Sequence, residues 1–491
     1  AAATAAGTRA TTLRVISTND FHGALEARPD GNAGLRGGAA QFATAIQRIE
    51  ADCRGTCASV LVDGGDEFQG TPASNLAFGR PVVALYNALG YAAAAVGNHD
   101  FDWGQDTLRA RMRDAKYGML AANVTYADGR PVPWIRADTI VERGGLKVGI
   151  IGLANVNTPT LTMPRNVADL RFLQPAPIVN ARAKALRARG ADAVIVIAHA
   201  GASCNADTCS GDMAELARAA AGNVDAIVGG HTHTEFTAVI DGIPLVRARS
   251  SGRSVAYVDV PVDRAARRAL DPKEVFVGTD TLPPAPAIAA LVAAATAPVQ
   301  ALVSRPIAKV PETLRRGGPQ YPLGNLIADA QRAATHADVA VMNNGGIRAN
   351  LNAGEATYGA LFEIQPFGNQ LVRIPVTGAE LRAYFERVVA RAVTTHVSGA
   401  IVTYDPARPA GSRIVELTVG GKPVDPSARY TLAMSDFMAT GGDGYAIPNV
   451  DARTEATGIV DLDALLEYVR AMPGGAVRAD PTVRIREVQS P

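Results

Sequence analysis

The strongest constraint on this chain is a series of short apolar runs that are nearly continuous and stop at glycine. "LKVGIIGLANVN" (146–157), "ADAVIVIAHAGA" (191–202) and "VDAIVGGHTHTEF" (224–236) carry Val, Ile and Leu without the alternation of a half-exposed strand. Such runs predict strands buried on both faces, hence an α/β sheet covered by helices. "TTLRVISTND" (11–20) and "ASVLVDGGDEFQG" (58–70) read the same way, and Phe42, Ile46 and Ile49 between them fall at helical spacing. In sheets of this kind functional groups gather in loops beyond the strand ends. Here those ends are polar: apart from "LKVGIIGLANVN", each run closes on Asp or His.

With 491 residues the chain is too long for a single core. Its composition shifts near residue 282, where the Ala-rich, Pro-bounded "LPPAPAIAALVAAATAPVQALV" (282–303) begins. We expect a first domain over 1–282, a helical linker over 283–308 interrupted at Pro298, and a second domain over 309–491. The net charge of +1 gives no reason to expect nucleic acid or an anionic membrane as partner; protein partners are left open. No apolar run is expected to reach the roughly 18 residues of a membrane span. The C-terminal "REVQSP" lacks the apolar tail of a lipid-anchor signal. The small, polar start "AAATAAGTRATT" suits a mature chain after removal of a signal peptide. Cys53 and Cys57, and Cys204 and Cys209, form two close pairs without C-x-x-C spacing. They predict two short-loop disulfides and an oxidising, periplasmic or extracellular location.

The strand-end groups are Asp20 and His22 in "NDFHG", Asp66 in "GGDEFQG", Asn98 and His99 in "GNHDFD", His199 in "IAHAG", and His231 and His233 in "GGHTH". Five of the seven histidines lie in these loops; His336 and His396 do not. Singly, each reads as a turn former or a hydrogen-bonded structural residue. Together they form a donor set of imidazole, carboxylate and amide without cysteine, which suits Zn, Mn, Fe or Co. Seven or eight donors are too many for one ion with an open position. They suit two ions roughly 3.5–4 Å apart that share a carboxylate.

In this order the motifs "NDFHG", "GGDEFQG", "GNHDFDWG", "AHAG" and "GGHTH" resemble those of the calcineurin-like dinuclear metallophosphoesterases. With its second domain the chain is similar to the secreted bacterial and animal 5'-nucleotidases, which include the UDP-sugar hydrolases. The resemblance implies an α/β (α+β) fold: a metallophosphoesterase β-sandwich flanked by helices, then an α/β nucleotide-recognition domain. It implies two divalent ions (Zn, Mn or Co), one held by Asp20, His22 and His233, the other by Asn98, His199 and His231, with Asp66 bridging. His99 would stabilise charge on the phosphoryl group or leaving oxygen. Spacing does not choose between Asp100 and Asp102 as its partner; the resemblance favours Asp102.

The implied reaction is removal of the 5'-phosphate of a nucleotide by a metal-activated hydroxide. In the second domain Phe367 and Phe437 would sandwich the base, with Asn369 near its edge and Asp443 on the ribose hydroxyls. Asn343 and Arg348 would meet the base–ribose or phosphate region, and Arg315 or Arg316 the phosphate. The competing expectations are a UDP-sugar hydrolase, a 2',3'-cyclic-nucleotide phosphodiesterase, a thiosulfohydrolase of the same superfamily, or a catalytically dead nucleotide-binding surface protein.

Overall fold

The computed structural model describes residues 10–488 apart from 31–33, 54, 56, 206–207, 264–269, 392–393, 446, 448 and 451. Residues 1–9 of the N-terminal stretch and the last three of "REVQSP" lie outside the described residues. The chain divides into two compact units, the first closing at Pro298 and the second opening at Val299.

In the first unit two six-stranded sheets pack face to face. One runs in the spatial order Lys273–Phe276, Ser254–Pro261, Thr12–Thr18, Ala58–Asp63, Ala93–Ala95, Gly118–Leu120, and its last four strands are parallel. The other runs Phe236–Ile240, Ile243–Arg247, Ala226–Val228, Ala193–Ala198, Leu146–Leu153, Asp138–Arg143, with the middle four parallel. The uninterrupted apolar runs are explained by the two sides of these strands. Ile195 and Ile197 join Val60 and Val62 in the core between the sheets. Val194 and Val196 pack outward with Leu186 and Met213 of the helices Pro175–Ala188 and Asp212–Ala219. Burying each such side chain contributes about 1.5–3 kcal/mol. Because the central strands are parallel within each sheet, their carboxyl ends, and the loops that follow, emerge at one edge.

The second unit contains a mixed five-stranded sheet, in the order Thr395–Ser398, Val339–Asn343, Arg429–Ser435, Gln370–Thr377, Glu455–Val460. Its helix Gly378–Ala390 begins at a capping box, in which Thr377 and Glu380 each satisfy the other's backbone N–H. The expected disulfides, Cys53–Cys57 and Cys204–Cys209, are both formed.

One expectation is corrected. The segment Pro286–Val303 is a helix of 18 residues with mean hydropathy 1.8, only 11 % of it buried, so by length and composition it is apolar enough to cross a membrane. Its apolarity comes from six Leu, Ile and Val residues interspersed among eight alanines and from the lack of any charge, not from one contiguous Leu/Ile/Val run. Pro298 does mark a break: an α-helix over Pro286–Thr296 passes through a 3-10 turn at Ala297–Val299 before resuming at Gln300. The N-terminal part packs against the helices Ala39–Cys53 and Arg80–Leu89.

His396, outside the strand-end set, is fully buried in the second unit. Its Nε2 lies 2.7 Å from Asn344 Oδ1, and Nδ1 has no hydrogen-bond partner. Burial and the nearby Arg484 charge hold its pKa down at about 4. An unfolded His titrates near 6.5, so between about pH 6.5 and 4 the unfolded chain binds a proton that the folded chain refuses. Stability therefore falls as pH falls through that window, by about 3 kcal/mol from this residue. In urea denaturation of the full chain at pH 4.5 and 6.5, His396→Gln should shrink the difference that the wild type shows. An equal difference in both proteins would refute the assignment.

Candidate active site

The loops at the carboxyl ends of both sheets bring the strand-end groups together. Two sets of donor atoms converge within 4.8 Å: Asp20, His22 and His233, and Asp20, Asp66 and His199. His22 Nε2 lies 3.1 Å from His233 Nε2, and Asp20 Oδ1 is 3.5 Å from His233 Nε2 and 4.0 Å from His22 Nε2. Asp66 Oδ2 sits between the sets, 3.1 Å from His199 Nε2 and 3.9 Å from His22 Nε2.

The imidazoles are oriented from behind. His22 Nδ1 is 2.8 Å from the Gln69 carbonyl and His199 Nδ1 is 2.9 Å from the Gly64 carbonyl. A carbonyl only accepts, so Nδ1 carries a proton and Nε2 is the nitrogen turned toward the cluster. Asn98 is 2 % exposed and its Oδ1 has no hydrogen-bond partner. His231 stacks edge-on to His199 at 5.1 Å, and its backbone N–H donates to both Asp20 oxygens at 3.0 and 2.9 Å. An orphaned buried amide oxygen on the loop that carries His99, together with inward-turned Nε2 atoms and acid oxygens, fits divalent cations of the N/O-preferring kind.

His99 lies alongside, its ring 5.6 Å from that of His22. Its Nδ1 meets Asp102 Oδ2 at 2.8 Å, and Asp102 Oδ1 accepts from Thr162 Oγ1 at 2.8 Å. Asp100 has a different task. It accepts from the backbone N–H of Gly97 at 2.7 Å and of Glu67 at 3.2 Å, tying the loop after Val96 to the loop of Asp66.

Electrostatics separates the two buried carboxylates. Burial pushes Asp20 up to about 6, against the opposing charge of His199. Burial would raise Asp66 too, but His199, His99 and His22 hold it well below the usual carboxylate range. His199 is lowered by burial, yet Asp66 and Asp20 push it up to about 10. The cluster holds positive charge tightly, the requirement for a cation site.

In the second unit Asn343 Nδ2 donates to Asp443 Oδ2 at 2.6 Å, and Arg391 holds the Asp443 and Gly444 carbonyls at 3.0 Å. Arg348 lies over the half-buried Phe367 ring at 5.7 Å. Arg315 and Arg316 are both exposed, and Arg316 donates to the Arg348 carbonyl at 3.1 Å. Asn369 Nδ2 reaches Asp461 Oδ2 at 3.3 Å, and Phe437 packs at the core edge with Gly442 close over its ring.

Residues 13–235 match the calcineurin-like phosphoesterase family and residues 300–449 the 5'-nucleotidase C-terminal domain. The chain thus pairs a calcineurin-like phosphoesterase match with a 5'-nucleotidase C-terminal domain match, in that order. The chain is 29 % identical to endonuclease YhcR of Bacillus subtilis over 94 % of its own length, which spans 40 % of that relative. Against the snake venom 5'-nucleotidase of Naja atra it is 28 % identical, covering 94 % of this chain and 96 % of the relative. The crystal structure of a 5'-nucleotidase precursor from Thermus thermophilus superposes with a TM-score of 0.85 at 27 % identity, covering 98 % of this chain and 100 % of the other.

Sequence reasoning missed several residues that hold this site. The run ending without Asp or His, "LKVGIIGLANVN", instead supplies Asn155, whose Nδ2 donates to the His199 carbonyl at 3.1 Å. Asn19, beside Asp20 in "NDFHG", donates to Asp20 Oδ2 at 2.7 Å. Thr162 gives no sequence signal, being 60 residues from Asp102.

The donors also stand on unusual backbone. Asp20, His22, Asp66, His231 and His233 all have positive φ, between 48° and 76°, a conformation that costs a non-glycine residue about 1–3 kcal/mol. Gly97 has another constraint: a Cβ there would lie 2.1 Å from Asp66 Oδ1. Gly97→Ala should therefore displace Asp66, reduce metal content, and lower activity by on the order of 10²-fold. Elemental analysis of folded protein checks this; full metal content with full activity would contradict the packing.

Proposed function

We propose that the chain is a 5'-nucleotidase, hydrolysing the 5'-phosphate of nucleotides at two divalent ions in its first unit. The observation that carries the reading is the placement of Asp66 between two donor sets, with His99 held beside them by Asp102. One ion would rest on Asp20, His22 and His233, the other on Asn98, His199 and His231, with Asp66 common to both. Zn, Mn or Co, when bound, would supply Lewis acidity that activates water and neutralises phosphoryl charge.

The chain's own groups do the rest. Asp102 keeps the proton on His99 Nδ1 and favours the imidazolium, so Nε2–H can donate to a phosphoryl or leaving oxygen. Thr162 fixes the Asp102 rotamer through Oδ1. The His99 backbone N–H donates to Asp66 Oδ1 at 2.8 Å, which keeps the acid group and the shared carboxylate in register. In the second unit, Phe367 and Phe437 would stack on the base and Asp443, steadied by Asn343, would accept from ribose. Asn369 would lie near the base edge, and Arg348 and Arg316 would face phosphate. The disulfides, together with similarity to a venom protein and to a precursor, support a periplasmic or extracellular location.

Chelation should abolish AMP hydrolysis, and Mn, Co or Zn should restore it with close to two ions per chain; metal-independent activity would overturn the reading. His99→Ala should lower kcat by roughly 10²–10⁴ while metal content stays constant, and loss of a metal in that variant would contradict its role. A panel of AMP, UDP-glucose and 2',3'-cyclic AMP should show AMP preferred.

Recognition by the second unit is tested separately. Phe367→Ala should cost roughly 1–3 kcal/mol of stacking, or about 5- to 150-fold in apparent affinity for AMP. A small aryl phosphate without a nucleoside should be hydrolysed as before. Equal loss on both substrates would make Phe367 a packing residue.

A further inference from the structure

Away from the metal donors, the first unit carries a second cavity of about 590 Å³. It lies between the helix Gly104–Asp114, the strand Gly118–Leu120 and the edge strand Asp138–Arg143. Four cations, Arg109, Arg113, Lys116 and Arg136, line it, and no carboxylate does. Arg109 pairs with Asp106 at 3.5 Å, but Asp106 is 99 % exposed, so water screens that pair. Arg136 donates to Thr139 Oγ1 at 3.0 Å. Among the described residues neither Arg113 nor Lys116 is paired with a carboxylate. Like charges gathered in one concavity create a field that draws in anions.

Apolar and aromatic residues line the cavity together with the cations. Met119 and Tyr117 are buried at its floor, and Trp134 lines it with the Arg109 guanidinium 5.7 Å from its ring. Tyr117 lies between the two regions: it is among the residues lining the cavity, its ring packs against Tyr86 and Tyr91, and its hydroxyl is bonded to Glu67, next to Asp66. An aromatic wall under a rim of guanidinium and ammonium groups takes a flat ring joined to several phosphates. The volume lies within the roughly 300–1,000 Å³ of small-molecule sites.

We propose that this cavity binds a nucleoside di- or triphosphate, its ring against Trp134 and its phosphates among Arg113, Lys116 and Arg136. The site is distinct from the hydrolytic centre and does not rest on the reading of that centre.

The test compares the full chain with an Arg113→Ala/Arg136→Ala variant, each titrated calorimetrically with a non-hydrolysable ATP analogue, with tripolyphosphate and with adenosine. The wild type should bind one more analogue molecule per chain than the variant. Alternatively, the variant should retain that event with Kd raised on the order of tenfold for each charge-assisted contact removed. Steady-state kcat and KM for AMP should be the same in both proteins. Trp134→Leu should weaken the analogue but not tripolyphosphate. Equal stoichiometry and affinity in wild type and double variant would overturn the proposal, as would a parallel loss of AMP hydrolysis. Tripolyphosphate binding as tightly as the analogue would overturn the nucleotide assignment.

Discussion

Two acid side chains with no access to water, Asp20 and Asp66, stand at the meeting edge of two sheets. Burying a carboxylate is costly unless charge and hydrogen bonds compensate it. Asp20 receives Asn19 and the His231 backbone; Asp66 receives the His99 backbone and faces three imidazoles. Much of the local architecture follows from that demand for positive charge. The "GGHTH" loop must fold back over Asp20, and the loops of Asp66 and Asn98 must touch. A divalent cation satisfies the demand more fully than a proton, because it accepts several donors at once.

The supply of charge is layered. Behind the donors lies a second set of buried acids whose pKa values burial raises. Burial pushes Asp63 and Asp100 up to about 7 and Glu67 well above its ordinary range. Their partners are hydroxyls and amides: Thr18 and Tyr86 on Asp63, Tyr117 on Glu67, the Gly97 backbone on Asp100. Of these neighbouring acids, Asp66 alone is driven down, so the anionic charge is concentrated where the imidazoles converge. The strained backbone has the same logic, since left-handed φ lets five donors turn inward from short loops that begin directly after buried strands.

Local features were legible in the sequence. The apolar runs announced strands buried on two sides, and the polar groups following them announced the donors, because both signals occupy a few consecutive residues. What escaped notice was joined only by the fold. Asp102 and Thr162 meet across 60 residues, and Asn155 reaches His199 across 44. Arg316 reaches the Arg348 carbonyl across 32 residues, a contact that no local spacing announces. The linker helix is expected from the sequence, but its membrane-like hydropathy is not, because its Leu, Ile and Val are dispersed among alanines and do not form one run.

Glycine placement links these levels. In "GGDEFQG", "GNHDFD" and "GGHTH" the glycines read as turn formers, yet two of them serve close approach instead. A Cβ on Gly64 would lie 2.2 Å from the Gly229 carbonyl oxygen, and one on Gly97 would strike Asp66. Gly64 follows a strand of one sheet, and Gly229 follows a strand of the other. The two sheets can therefore bring their ends together because Gly64 carries no side chain, and neither does Gly230, whose Cβ would lie 2.7 Å from the Gly64 carbonyl oxygen. The same contact lets the Gly64 carbonyl reach His199 Nδ1, so the packing that closes the sandwich also fixes the imidazole that points into it.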